Sequence, residues 1–223
     1  MFLSKIDSMY VKHTSKRICQ GDIFRKTDVI VWNIKDTSNE YEISEANLPY
    51  IVVITQDCDL EWDFNNRSEP ATVKHDKYLQ TILVCPAYNA EEFKAGDHLK
   101  SNGLKMQEWN SNDYKRIKQQ NHARFHFLEQ NQALQVPQLI VDFKHYYTIP
   151  RDVLYKMHTE HYLATFNKLF RESLSQRFSN YVSRIDLPEL KKRINSESTL
   201  SMASPSVASP PSVFDKSQCD EER

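Results

Sequence analysis

Polar side chains able to do chemistry concentrate at Thr55-Gln56-Asp57-Cys58-Asp59, directly after the apolar run Ile51-Val52-Val53-Ile54. If strand geometry continues, Asp57 and Asp59 share one face and Gln56 and Cys58 the other. Two adjacent carboxylates suit a divalent cation, or divide into acid and base, because like charges push their pKa values apart. The Cys58 thiol is a nucleophile only beside a base or a positive end that lowers its pKa. The plainer reading is preferred: the aspartates cap a turn and Cys58 is a small packed residue. Asp57, Cys58 and Asp59 are therefore the candidate catalytic residues, and Thr55, Gln56 and Asp22 the candidate ligand-binding ones. No metal and no cofactor is expected.

A reactive corner needs a base brought back from elsewhere, and His75, His98, His122, His126 and His145 are the candidates. His158 and His161 have i, i+3 spacing, and His122 and His126 straddle a helix-to-strand junction. Neither pair belongs to a metal signature such as His-Glu-x-x-His. Basic and aromatic residues interleave at Lys115-Arg116-Ile117-Lys118, Arg124-Phe125-His126-Phe127 and Lys144-His145-Tyr146-Tyr147, a pattern that can stack single-stranded bases. The plainer assignment puts Phe125, Phe127, Tyr146 and Tyr147 in core or half-buried strand positions. No Gly-rich phosphate loop and no Gly-x-Ser-x-Gly elbow is present, so nucleotide-hydrolase and serine-esterase chemistry has no support.

The elements that must position these residues are short. Gly21-Asp22 makes a turn or bulge before a strand, Val29 to Ile34 is a β-branched run, and Lys35 to Ala46 reads as a polar loop. Tyr50 to Thr55 is the clearest strand, and its two apolar faces make it central. Leu79 to Cys85 is a further buried run, stopped by Pro86. Ser111 to Gln120 reads as a helix capped by Ser111 or Asn112. Phe125 and Phe127 alternate onto one face, Leu139 to Phe143 is a strand, and Pro150 opens a helix. From Asn167 to Ile185 one apolar stripe, Leu169, Phe170, Leu174, Phe178, Tyr181, Val182 and Ile185, marks an amphipathic helix.

At 223 residues the chain suits one main body and a tail. The expected fold is α+β, a small, partly open antiparallel β-barrel or rolled sheet with peripheral helices and a long C-terminal amphipathic helix. Residues 1–16 form an N-terminal extension, 17–190 one globular domain, and 191–223 a disordered Ser/Pro-rich acidic tail. Only 3 glycines are present, where average usage gives roughly 16, so corners must use Asn, Asp, Pro or long loops. The 4 widely spaced cysteines and the lack of a leader or spanning segment place the chain in the cytoplasm, without a membrane partner. A net charge of −1 gives no global case for a polyanion partner.

Gly21-Asp22-Ile23, Ile51 to Leu60, Val84-Cys85-Pro86, Val141-Asp142-Phe143, Pro150-Arg151, and Leu174 to Phe178 through Arg184 to Pro188 resemble an uncharacterised bacterial family. Its members look like small proteins with a strand ending in Ser/Thr-Gln-x-Cys-Asp. The similarity covers about residues 17 to 188, and the family's association is with mobile or phage-related regions. From Gly21 to Thr55 the order of Gly-Asp-Ile, loop and apolar strand is also similar to the opening of MazF/PemK-type toxins, SH3-like barrels that cleave RNA without a metal. Here the loop is longer, Leu48-Pro49 stands where those proteins have Arg-Pro, and the body is about twice as long. No catalytic residue is carried over.

The expected function is that of a binding or regulatory module of a bacterial mobile-element or phage-conflict system, with a protein partner. The alternatives are a hydrolase or nuclease acting at Asp57-Cys58-Asp59, and a barrel that binds single-stranded RNA.

Overall fold

A computed structural model describes residues 8–34, 40–67 and 75–184. The expected tail at 191–223 lies outside the described residues. Eight strands join one antiparallel sheet: β1 (Tyr10–Val11), β2 (Asp22–Ile34), β3 (Tyr41–Val53), β4 (Thr81–Asn89), β5 (Phe125–Leu128), β6 (Leu139–Asp142), β7 (Tyr147–Pro150) and β8 (Tyr162–Phe166). Five α-helices accompany them: α1 (Asp57–Arg67), α2 (Ala90–Ala95), α3 (Ser111–Lys118), α4 (Arg151–His161) and α5 (Lys168–Val182). Strand order runs β1-β8-β2-β3-β4-β6-β5, with β7 also paired to β4. The two ends of this open path meet through one side chain, Tyr10 Oη donating to the carbonyl of Glu129 at 2.7 Å.

The sheet is covered on both faces, and the alternation along β3 shows why. Val52 and Ile54 pack with Ile23, Cys85, Ala87, Val141 and α5's Leu174, whereas Ile51 and Val53 face the opposite way onto Phe24, Leu60 and Leu154. A strand with two apolar faces is stable only between two layers, and β3 pairs with β2 on one side and β4 on the other. The expected central position of this run holds. Phe125 and Phe127 share a third cluster with Tyr88, Phe93 and Ile117. No helix among the described residues is long and apolar enough to cross a membrane.

Three expectations need correction. Tyr41 to Ala46 is not loop but the first half of β3, paired residue for residue with Val29 to Ile34. Its polar side chains sit on a ribbon that pairs with no further strand among the described residues, so solvent-compatible residues suffice there. Pro86 does not stop β4, which continues to Asn89. On that edge β4 changes partner, pairing β7 up to Val84 and β6 from Ala87, so a residue without an N–H costs no ladder bond. Asn110, rather than Ser111 or Asn112, caps α3, its Oδ1 accepting the N–H of Asp113.

α1 and α4 are joined through Asp63, which is 1% exposed. Its carboxylate takes Arg67 Nε and Arg151 Nε, each at 2.7 Å, and the backbone N–H of Leu79 at 2.9 Å. Removing one side of such a buried pair leaves the other uncompensated. Asp63→Ala is therefore expected to lower stability by about 3–5 kcal/mol, as read from urea unfolding, because it removes the carboxylate that both arginines and the Leu79 N–H share.

Candidate functional site

The corner after β3 is not extended. Leu60 N–H bonds to Gln56 C=O, and α1 begins at Asp57. Asp57 and Asp59 occupy the first helical turn, where negative charge meets the positive end of the helix dipole. At ~100° per residue they diverge instead of sharing the face expected of a strand. Thr55 Oγ1 accepts the N–H of Leu83 at 2.7 Å, which ties the corner to β4.

Asp57 is the most committed residue here. Arg17 donates from Nη1 and Nη2 at 3.2 and 3.3 Å, Arg171 of α5 approaches at 3.2 Å, and the N–H of Gln20 adds a bond at 3.1 Å. Partial burial opposes its charge, but these donors prevail and hold its carboxyl below the usual carboxylate range. Cys58 is exposed and lies 3.7 Å from Gln56 Oε1 and 3.8 Å from Asp59 Oδ1. Neither of these two contacts is a strong base or a cation. Thr55, Gln56 and Asp59 border a groove of about 390 Å³ whose far wall is Ser175, Phe178 and Val182 of α5.

The histidines proposed as bases lie elsewhere. His98 packs between Tyr88 and Phe93, His122 against Trp109 and Phe125, and His126 against Phe143. His75 contacts Tyr78, and His145 lies 3.0 Å from Asp142, which also takes two bonds from Arg124. Phe125 and Phe127 are 3% and 1% exposed, so they take the core positions expected of them and cannot stack bases, while Tyr146 stays exposed.

Asp22 belongs to a different cluster. Its side chain is fully buried at the start of β2, where Oδ2 accepts the N–H of Cys19 at 2.8 Å and Oδ1 faces His13 Nε2 at 3.1 Å. The hydrogen bond to Asp22, assisted by Cys19, pushes the His13 pKa up to about 10 despite partial burial. His158 of α4 completes the group: the three side chains each offer a ligand atom, all within 4.8 Å of one another. Sequence reasoning named Asp22 but missed His13 and paired His158 with His161. His161 instead meets the carbonyl of Arg25 at 2.9 Å. Separations of 9 and 136 residues carry no spacing signal for Asp22 with His13 and His158.

A scan against protein-family models and a search of curated proteins return no match to this chain.

Cys58→Ser and Asp59→Asn should change stability by less than about 0.5 kcal/mol, as exposed or lightly held side chains do. Asp57→Asn should cost about 2–3 kcal/mol at neutral pH. Because the Asp57 pKa is lowered on folding, its contribution is complete above the unfolded carboxylate value and is lost as pH falls through the lower folded one. Urea unfolding from pH 5 to pH 2 should therefore show a shallower acid loss in Asp57→Asn than in the natural protein.

Proposed function

We propose that the protein is a binding or regulatory module that works through protein contact, within a bacterial mobile-element or phage-conflict system as the sequence resemblance implies. The observation that carries the reading is the outer face of the β2–β3 ribbon. Ile30, Trp32 and Ile34 lie opposite Glu45, Ile43 and Tyr41, and the five apolar members are between 59% and 74% exposed. Together they present on the order of 600 Å² of accessible surface, close to one side of a standard protein interface. Monomeric proteins seldom leave contiguous apolar area of this size in water.

Charge chooses the partner. The face is edged by Asp28 and Glu45, both exposed, and its described positions carry no Lys or Arg. This disfavours a phosphate backbone, which needs cations, and favours a protein surface with an apolar centre and a basic rim. The corner supports the same reading, since Asp57 is spent on two arginines and a backbone N–H.

A photo-crosslinker at position 32 of the full chain, expressed in its host, tests this. The expected adduct is with one different polypeptide. That polypeptide, once purified, should bind the natural chain one to one, with affinity falling as salt rises, and bind Trp32→Glu at least about 100-fold more weakly. An adduct at twice the chain mass, a ribonuclease-sensitive adduct, or no adduct would each overturn the proposal.

A further inference from the structure

The geometry points to a divalent transition-metal site formed by His13, Asp22 and His158, with zinc as the fitting ion, joining the segment before β2 to the start of β2 and to α4. Two imidazoles and one carboxylate are a donor set for first-row transition ions. Magnesium and calcium prefer all-oxygen shells. Three protein ligands leave a fourth tetrahedral position for a water or another small donor.

Four independent observations converge on these residues. The first is proximity, with one ligand atom from each side chain inside 4.8 Å. A tetrahedral zinc site with bonds near 2.0–2.2 Å has ligand separations of roughly 3.3 Å, so the widest pair must close by about 1.5 Å. His13 and Asp22 already stand 3.1 Å apart. The second is tautomer control. His13 Nδ1 lies 3.2 Å from the carbonyl of Ser15, to which only an N–H can donate. Nε2, the nitrogen facing Asp22, is then the one free to ligate once it gives up its proton, and a backbone carbonyl behind a ligating imidazole is the usual supporting arrangement.

The third is an orphan. Nε2 of His158 is buried and finds no hydrogen-bond partner among the described residues, whereas nearly all buried polar atoms have one. The fourth is the carboxylate. Asp22 is 0% exposed and its counter-charge is His13, so an ion would take the place of the His13 proton beside a carboxylate that cannot be left bare. The cluster is also braced from behind. The Tyr162 ring stacks on His158 at 4.9 Å and lies 4.8 Å from His13, and its Oη accepts the N–H of His13 at 3.3 Å. Phe24 meets His158 edge-on at 5.9 Å. Rings held this way lose little freedom when an ion binds.

The test uses the full chain, stripped with chelator and titrated with Zn²⁺ by calorimetry and with Co²⁺ by visible absorption. One equivalent of Zn²⁺ should bind, and Co²⁺ should give the intense d–d bands of a four-coordinate ion. His158→Phe keeps the stack on Tyr162 and removes an atom that is unpartnered without metal, so the metal-free variant should fold and melt as the natural chain does. Its Zn²⁺ affinity should fall at least about 100-fold. His161→Ala, on the same helix, should bind as the natural chain does. No saturable binding, a six-coordinate Co²⁺ spectrum, or equal affinity in His158→Phe would overturn the assignment.

Discussion

Two carboxylates grip one short stretch of backbone, and the polar half of the molecule depends on that grip. Asp22 accepts the N–H of Cys19 and Asp57 the N–H of Gln20, so residues 17–22 are held from both sides. Asp22 is fully and Asp57 partly buried, and each is satisfied inside the protein. Asp57 recruits Arg17 and Arg171, which brings α5 onto the corner, and Asp22 recruits His13, which draws in the chain before β2. Gly21, at φ +84°, lets the chain turn between them and donates its N–H to Val53, while a Cβ there would stand 2.9 Å from the Phe166 ring. Gln20 then closes the end of β3 by donating to Ile54.

This grip divides the molecule into a fixed part and an available part. The sheet around β3 is packed on both faces, and the corner beyond it is cross-tied by side chains from Thr55, Arg17 and Arg171. Among the described residues, the β2–β3 ribbon beyond Asp28 and Asn47 pairs with no further strand and reaches the core only through Val29 and Ala46, and a two-stranded ribbon is marginal in water. A stiff body that presents a ribbon with an exposed apolar face suits the proposed recognition role, since little order would have to be created in the body when a partner binds. Within the corner, the Asp57 carboxylate serves the body, tied to Arg17, Arg171 and the N–H of Gln20.

Much of the body was legible in the sequence because local pattern and tertiary demand agree there. Ile51 to Ile54 is apolar on successive residues, which only a doubly covered strand can use, and Phe125 and Phe127 reach the shared cluster that their alternation implies. The α5 stripe packs through Leu174, Phe170, Phe178 and Tyr181, although Leu169 and Val182 stay exposed. What was illegible depends on partners distant in sequence. Asp57 and Asp59 read as strand continuation because the buried run before them is so strong, while the first turn of α1 is favoured by the helix dipole and by arginines 40 and 114 residues away. Tyr41 to Ala46 looked like loop because the ribbon lacks the apolar-in, polar-out alternation of a sheet backed by a core. His13 carries no local signal at all, and it gains one only when Asp22 is found buried.

The most direct test of the grip is hydrogen exchange at the amides of Cys19 and Gln20 under native conditions. These lie between strands, where an ordinary loop exchanges quickly. If the carboxylates of Asp22 and Asp57 hold them as described, both amides will open only with the global unfolding seen for Val52 and Val53 in β3. Exchange at loop rates, with β3 still protected, would contradict the account.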